Sequence, residues 1–161
     1  MSVLEVLKRR RSVRSFVYQP IPQEDWLEIL EAGRIAATSR NRQARRFVTI
    51  TEPDRIKEFV QAAKIQEFTK EAAAIVVGCA PDINSTGVDV MISLTQMEAV
   101  AVSKGIGTIW LGTFDREVVG EQIKLPLDNK IVLLMAFGYP ATPGNMPDKL
   151  PLGELFLKDT F

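Results

Sequence analysis

Nine consecutive apolar or small residues, 72–80, constrain the fold of this chain more than any other segment. The sequence there is Ala-Ala-Ala-Ile-Val-Val-Gly-Cys-Ala, without a charged side chain. Successive side chains of a strand point to opposite faces of a sheet, so a strand of this composition is apolar on both faces. We therefore expect residues 72–80 to form a strand that other parts of the chain cover on both sides.

The longest helical segment, residues 85–104, is also apolar on more than one side. Ser85 and Thr86 are candidate N-terminal caps, and Gly105 ends the pattern. Because the apolar residues do not keep to one stripe, the helix is predicted to be buried on several sides, either beneath other elements or in a subunit interface. We favour the interface.

The rest of the chain alternates between helical and strand patterns without a repeat or a long linker, so we expect one domain over residues 1–161. Residues 144–161 are rich in proline and become strand-like at 153–157, with little of the chain nearby to pack on. This segment is predicted to be an arm that reaches a partner subunit. The other predicted elements are helices at 2–9, 23–37, 53–64 and 115–123 and strands at 47–51, 106–111 and 131–137.

Composition excludes several classes of protein. The 161 residues include no histidine, which removes the usual general base and the commonest zinc ligand, so hydrolases and zinc enzymes become poor candidates. Cys79 is the single cysteine, and a chain that cannot form an internal disulfide favours a reducing cytoplasm. No apolar segment reaches the roughly 18 residues of a membrane span, and we expect neither export nor a membrane partner.

The formal net charge is zero, but the charges are unevenly distributed. Residues 1–46 carry ten Lys and Arg against five Asp and Glu, and residues 47–161 carry ten against fifteen. A nucleic-acid binder is expected to have a basic total and aromatic residues interleaved with the basic ones, and this sequence has neither. The pattern predicts local binding of a small anion and no nucleic-acid partner.

Positive charge is densest where the first helix ends, at residues 8–16, Lys-Arg-Arg-Arg-Ser-Val-Arg-Ser-Phe. Guanidinium groups match phosphate oxygens in bidentate geometry, and a serine hydroxyl adds a neutral donor. The segment therefore suits the phosphate of a cofactor. Taken alone, it equally suits a nucleic-acid patch or a solvated basic face.

Five short motifs follow one another along the chain. They are Arg-Arg-Ser-Val-Arg-Ser-Phe at 10–16, Ala-Thr-Ser-Arg-Asn-Arg-Gln at 37–43, Gly-Ile-Gly-Thr-Ile-Trp-Leu-Gly at 105–112, Phe-Gly-Tyr-Pro at 137–140 and Lys-Leu-Pro at 149–151. Their order resembles that in the small, single-domain members of the nitroreductase family of FMN-dependent oxidoreductases. The resemblance implies an α+β sandwich, with helices flanking a central, mixed but mostly antiparallel sheet, and a homodimer that exchanges its C-terminal strands.

The same resemblance implies which residues hold the phosphate end of FMN. Arg10 and Ser12 match positions on the phosphate or the ribityl chain, with Arg11 beside them. Arg14 matches a cation near the N1 and O2 edge of the flavin ring, where it would stabilise the negative charge of the reduced form. Lys149 matches a late basic residue that closes over the phosphate.

Ring contacts are implied at the end of the strand predicted at 106–111. Leu111, Gly112 and Thr113 match the backbone that faces the reactive edge of the ring, and Gln66 is the candidate for a further side-chain contact to the ring. The flavin would lie in a site that two subunits share. The residues that match contacts to the flavin bound mainly by the other subunit are Thr38, Ser39 and Asn41.

The activity implied is transfer of a hydride from NADH or NADPH through flavin N5 to an electron-poor acceptor, a nitroaromatic or a quinone, by a ping-pong mechanism. No side-chain nucleophile is needed for it, so the absence of histidine is no obstacle. The motifs leave alternatives open. Reduced flavin serves reductive dehalogenation or flavin breakdown in some relatives, and a non-catalytic FMN-binding or storage module would carry the same binding residues.

Two departures from the family pattern affect the region around the ring. Ala44 and Arg45 stand where the pattern has Pro-Trp, and the segment at 81–87 is short where many relatives carry a cover over the active site. A charged residue thus replaces an apolar lid element. We expect Arg40, Arg42 and Arg45 to favour an anionic acceptor or the phosphate of NADPH.

Overall fold

A five-stranded sheet forms the centre of the structure, a computed structural model that describes residues 1–142 and 144–160. Its strands are β1 (Phe16–Val17), β2 (Arg46–Ile50), β3 (Ala74–Ala80), β4 (Gly107–Leu111) and β5 (Lys130–Pro140). They pair in the order β1-β5-β3-β2, and β4 also pairs with β5. These pairings are antiparallel, while Ser12 and Thr108 form a parallel bridge. The predicted sheet is confirmed as an antiparallel one, since the parallel bridge lies outside the named strands.

Helices cover both faces of this sheet, as the composition of residues 72–80 predicts. Ile75 belongs to one buried cluster with Ile56, and its neighbour Val76 belongs to a second buried cluster with Leu94. All seven residues of β3 are buried, since its side chains alternate between these clusters. The helices are α1 (Val3–Arg9), α2 (Gln23–Ile35), α3 (Pro53–Ala62), α4 (Ile83–Ser103), α5 (Arg116–Gln122) and α6 (Leu152–Leu155), with 3-10 helices at Ser39–Asn41 and Glu67–Glu71.

The long apolar helix is confirmed as α4, which packs against α2, β3 and β5. It begins before the predicted caps because the Asp82 carboxylate accepts a hydrogen bond from the Asn84 N–H at 2.9 Å and caps the first turn. One side of α4 remains uncovered and presents an apolar stripe. The exposed apolar residues of this stripe are Ile83, Val88, Met91 and Ile92.

The C-terminal arm differs from its prediction. Residues 153–157 do not form a strand, because Leu152–Leu155 is a helical turn in which the Phe156 N–H donates to the Leu152 carbonyl at 2.9 Å. With no strand of its own chain paired to it, the segment satisfies its backbone locally. Residue 161 of the predicted arm lies outside the described residues. Within its described residues, the arm exposes six large apolar side chains, Met146, Leu150, Leu152, Leu155, Phe156 and Leu157.

Most other predicted elements are confirmed within a few residues. The two 3-10 helices and β1 were not predicted, and for β1 two residues are too few to show an alternating pattern. Strand β1 pairs with the end of β5 and brings the segment after α1 against the sheet. Across residues 1–142 and 144–160, no helix is long and apolar enough to span a membrane, and no three side chains cluster as a metal site.

Candidate functional site

A cleft of about 140 Å³ opens between the segment after α1 and the C-terminal arm. It brings together residues of two distant motifs, which the resemblance assigns to the FMN site: Arg14 to the edge of the ring and the others to the phosphate end. Their binding role remains a prediction, but the chain places them side by side. The predicted residues that line this basic cleft are Arg10, Arg11, Ser12, Arg14 and Lys149, joined by Asn145, Met146 and Pro147.

Backbone hydrogen bonds hold both walls of the basic cleft. The Val13 N–H donates to the Thr108 carbonyl at 2.9 Å, which fixes the first wall to β4. The Ala141 N–H donates to the Ser15 carbonyl at 2.8 Å and keeps the end of β5 beside that wall. The cleft is therefore built onto the edge of the sheet, so its shape depends on the fold and not on a free loop.

Arg11 ties the two walls together. Its Nε donates to the Gly144 carbonyl at 3.2 Å, at the start of the arm. One terminal nitrogen donates to the carbonyls of Lys8 at 2.6 Å and Arg10 at 2.8 Å, where α1 ends. Free carbonyls at a helix end accept such donors readily. Much of the Arg11 guanidinium is thus engaged in closing the cleft.

The other cations of the basic cleft are more open. Arg14 and Lys149 are exposed, and neither forms a salt bridge within residues 1–142 and 144–160. The Arg10 side chain is 32% exposed and donates to the Ser12 hydroxyl at 3.3 Å. Guanidinium, ammonium and hydroxyl donors around a small volume fit the phosphate monoester of FMN.

The residues predicted to face the ring lie at the end of β4. Leu111 is buried, whereas Gly112 and Thr113 are exposed, and a Cβ added at Gly112 would meet no atom within 4 Å. The backbone is accordingly accessible at this point. Thr108 of the same strand bridges to Ser12, so β4 connects the basic cleft to this open backbone. The ring contact itself remains a prediction.

Thr38, Ser39 and Asn41 lie away from the basic cleft of their own chain, in the 3-10 turn after α2. The Ser39 N–H donates to the Asp89 carboxylate of α4 at 3.2 Å, and the Thr38 hydroxyl accepts from the Gln43 N–H at 3.1 Å. These contacts fix the turn. The separation agrees with the implied sharing of each site between subunits, which remains a prediction.

Gln66 also lies outside the lining of the basic cleft. It is exposed, and its carbonyl accepts from the Thr69 N–H at 2.9 Å and the Thr69 hydroxyl at 2.6 Å. Its backbone starts the 3-10 helix Glu67–Glu71. In the single chain the structure provides no contact between Gln66 and the predicted phosphate-binding residues.

Arg45 has a structural role, which corrects the prediction that this side chain faces an anionic acceptor. It is 7% exposed, and its Nη2 donates to the carbonyls of Gly33 at 3.0 Å, Arg34 at 3.1 Å and Ala36 at 3.0 Å. These are carbonyls at the C-terminal end of α2, where a cation also suits the helix dipole. A residue in the position of the expected Trp thus caps a helix.

A second cavity, of about 520 Å³, lies beside this cap. It is lined by the exposed Arg34, Arg42 and Arg46, by the buried Arg45 and by apolar side chains of α2, α4 and β2. Arg40 is exposed but does not belong to this lining. Arg42 is thus the exposed member of the predicted trio in this lining, while the Nη2 of Arg45 is engaged with carbonyls at the end of α2.

Sequence reasoning missed two buried carboxylates of α4. Asp89 is 3% exposed and holds Ser39, and Glu98 is 6% exposed and accepts hydrogen bonds from Thr108 and Trp110. Acidic residues are seldom fully buried unless they are paired. The signal that was available is the presence of two carboxylates within a helix predicted to be buried on several sides.

Comparison with known proteins gives a family. The family model described as the nitroreductase family matches residues 7–84 and 80–139. An NADPH-flavin oxidoreductase from Vibrio harveyi is 25% identical, over 93% of this chain and 70% of the relative. An FMN reductase [NAD(P)H] from Bacillus subtilis is 25% identical, over 99% of this chain and 74% of the relative.

Solved structures give the same fold. Nitroreductase A from Vibrio parahaemolyticus superimposes with a TM-score of 0.91, over 100% of this chain and 77% of that one, at 24% identity. The likeness includes the helix-covered sheet and supports the topology described above. At this level of sequence identity, the similarity is evidence for the fold only.

Proposed function

Because the family model matches most of its length, the chain belongs to the nitroreductase family, and we propose that it is an NAD(P)H-dependent oxidoreductase that uses FMN. The basic cleft is the observation that carries the proposal. Its cations come from two motifs at opposite ends of the sequence and converge on a volume suited to a phosphate. The names of the relatives, an NADPH-flavin oxidoreductase and an FMN reductase, support the same cofactors.

Three residues, Arg10, Ser12 and Lys149, would hold the phosphate end of FMN. Arg10 and Ser12 already share a hydrogen bond, so their donors are arranged before a ligand arrives. Lys149 is exposed and adds positive charge from the opposite wall of the basic cleft, whereas the exposed Arg14 would serve the ring. Charged hydrogen bonds of this kind are shorter and stronger than neutral ones. Arg11 would contribute by keeping the walls together.

When bound, FMN supplies the redox chemistry, accepting a hydride from NADH or NADPH and passing its electrons to an acceptor. Arg14 would stabilise negative charge at the N1 and O2 edge of the ring. The backbone that runs from the buried Leu111 to the exposed Gly112 and Thr113 would donate to the reactive edge, with no side chain in the way at Gly112. Positioning and electrostatics are the contributions expected of the protein in such a reaction.

The proposed assembly is a homodimer. The exposed stripe of α4 and the apolar side chains of the arm lie uncovered in the single chain, and burial of contiguous apolar surface commonly marks an interface. In this dimer Thr38, Ser39 and Asn41 would reach the flavin held mainly by the partner subunit. Gln66 would contact the ring only if assembly brings it to the site.

The proposed cycle is ping-pong, with the nicotinamide leaving before an electron-poor acceptor such as a nitroaromatic or a quinone enters. No atom lies within 4 Å of a Cβ added at Gly112, so no side chain blocks the approach of a flat ring at this point. The proposal includes a cytoplasmic location, because Cys79 is a free thiol inside β3 and a reducing compartment suits it.

The test begins with the visible absorption spectrum of freshly purified protein, followed by heat release and chromatographic identification of the chromophore. About one FMN per chain is expected, with the chromophore bleached by NADH or NADPH and restored by a quinone. A colourless protein that does not take up added FMN would overturn the proposal. A protein that binds FMN but consumes no NAD(P)H with any acceptor would support the storage module instead.

Two variants locate the site. Arg14→Met is expected to lower the reduction potential of bound flavin, because a cation near the ring favours the reduced form. Arg116→Met is the matched control, since Arg116 is an exposed arginine that donates to the Ile131 carbonyl at 2.7 Å, outside the basic cleft. An equal potential in both variants would remove Arg14 from the proposed role.

A further inference from the structure

Glu98 is a buried carboxylate that joins α4 to β4. It is 6% exposed, and its Oε1 accepts hydrogen bonds from the Thr108 hydroxyl at 2.7 Å and from the Trp110 indole N–H at 3.2 Å. A buried charge is costly unless it is paired and hydrogen-bonded. The hydroxyl and the indole N–H are neutral donors. They satisfy the hydrogen-bonding requirement of Oε1, but the charge of Glu98 still needs a positive partner.

The positive partner is Arg10. One terminal nitrogen of its guanidinium lies 3.8 Å from the same Oε1 and also donates to the Ser12 hydroxyl at 3.3 Å. Within residues 1–142 and 144–160, Arg10 is the one cation of the basic cleft with a carboxylate inside 4.0 Å. Glu98 is therefore next to Arg10, a residue that the proposed function assigns to binding FMN.

Resting on that proposed function, we propose that Glu98 is a positioning residue, which holds the Arg10 guanidinium towards the phosphate of FMN. An unrestrained arginine loses much side-chain freedom when it binds, whereas an arginine that is already held loses less. Glu98 itself is anchored by Thr108 and Trp110, both on the strand that leads to the predicted ring contacts. The phosphate end of the site is therefore tied to β4 through one carboxylate.

Two effects of Glu98 on a phosphate oppose each other. Its negative charge repels the ligand, and its hold on Arg10 favours binding. Since the Arg10 charge lies between the carboxylate and the basic cleft, we expect positioning to outweigh repulsion. If positioning dominates, removing the Glu98 charge lowers the affinity for FMN. If repulsion dominates, removing it raises the affinity.

The experiment compares FMN with riboflavin, which lacks the phosphate, in fluorescence-quenching titrations of the flavin-free protein. Glu98→Gln keeps an oxygen that can accept from Thr108 and Trp110 but removes the charge that faces Arg10. It is expected to weaken FMN binding about tenfold, within the range of coupling energies between residues in contact, and to change riboflavin binding less than about twofold. Unchanged or tighter FMN binding would overturn the proposal, as would an equal loss for both flavins.

A double-mutant cycle identifies Arg10 as the intermediary. In an Arg10→Gln background the further change Glu98→Gln is expected to have no effect on FMN affinity. If the single Glu98→Gln variant does not fold, Glu98→Asp replaces it, because aspartate keeps the charge but draws its oxygens back from Arg10 by one methylene. The same loss, specific to FMN, is then expected.

The outcomes separate the two proposals. If the wild-type protein binds neither FMN nor riboflavin, the proposed function fails. If the wild-type protein binds FMN more tightly than riboflavin and Glu98→Gln leaves that difference intact, only the role of Glu98 fails.

Discussion

The Nη2 of Arg45 donates to the carbonyl of Ala36 at 3.0 Å and so links the start of β2 to the end of α2. The same nitrogen reaches the carbonyls of Gly33 and Arg34. Three acceptors at one helix end surround a side chain that is almost fully buried. A cation that replaces an expected aromatic residue therefore belongs to the fold, even though the sequence places it among arginines that suggest ligand binding.

Arg45→Met is expected to lower the free energy of unfolding by about 2–4 kcal/mol, because it removes charged hydrogen bonds from buried carbonyls while keeping an apolar side chain. Urea denaturation measures the change. Arg42→Met is the matched control, since Arg42 is exposed, and it should alter stability by no more than about 0.5 kcal/mol. Equal stability of the two variants would contradict the capping role of Arg45.

Arg42 is expected to select the nicotinamide cofactor through the phosphate that distinguishes NADPH from NADH. Arg42→Ala should raise KM for NADPH about fivefold and leave KM for NADH unchanged, the loss that one exposed charge contact would give. Steady-state rates with a quinone acceptor measure both constants.

Arg34→Ala provides the control, because Arg34 lines the same cavity but is neutralised by Glu31, whose carboxylate lies 2.6 Å from its Nε. Its effect on KM for NADPH should be smaller. If Arg42→Ala changes both KM values equally, the cavity does not discriminate the phosphate.

At Gly78, α4 lies in tight contact with β3. A Cβ at Gly78 would overlap Cγ1 of the buried Val90, whose branched side chain has little freedom to move. Gly78→Ala is expected to cost about 1–3 kcal/mol in thermal unfolding, and Val90→Ala in the same chain should restore part of it. Gly153→Ala, with no atom within 4 Å of the added Cβ, should not destabilise the protein. Additive losses in the double variant would argue against a direct clash.

The sequence predicts the elements whose pattern is long. The predictions of a strand at 72–80 and a helix at 85–104 are confirmed. Both segments are apolar on more than one side, and a sheet covered by helices buries those sides. The basic residues of 10–14 and Lys149 also come together in one cleft, as the resemblance implies. These features depend on composition and on the order of the motifs, and both can be read directly from the sequence.

Contacts between distant side chains are not visible in that way. Glu98 meets Thr108 because β4 returns beside α4, and Arg45 meets Ala36 because β2 returns beside the end of α2. Both depend on the path of the chain in space. The strand expected at 153–157 was wrong for a related reason, since a strand needs a partner and the single chain offers it none.

Cys79 gives a prediction for pH dependence. Burial raises the pKa of its thiol from 9.0 to about 11. In the unfolded chain the thiol ionises first, so between about pH 9 and 11 the unfolded state binds fewer protons than the folded state. Stability from this group is therefore complete below about pH 9 and is lost as the pH rises through 11.

Cys79→Ala tests this by difference. Urea denaturation from pH 7 to 11 should show a difference in free energy of unfolding between wild type and variant that is constant up to about pH 9. Above that pH the wild type should lose stability relative to the variant, because alanine has no proton to lose. Hydrogen bonds to Asp25 and Glu28 raise the pKa of Lys104, so its stabilising effect is also lost at high pH. Both proteins contain Lys104, and the difference between them therefore cancels its contribution. A gap that stays constant to pH 11 would mean that the thiol ionises as easily in the folded protein as in the unfolded chain.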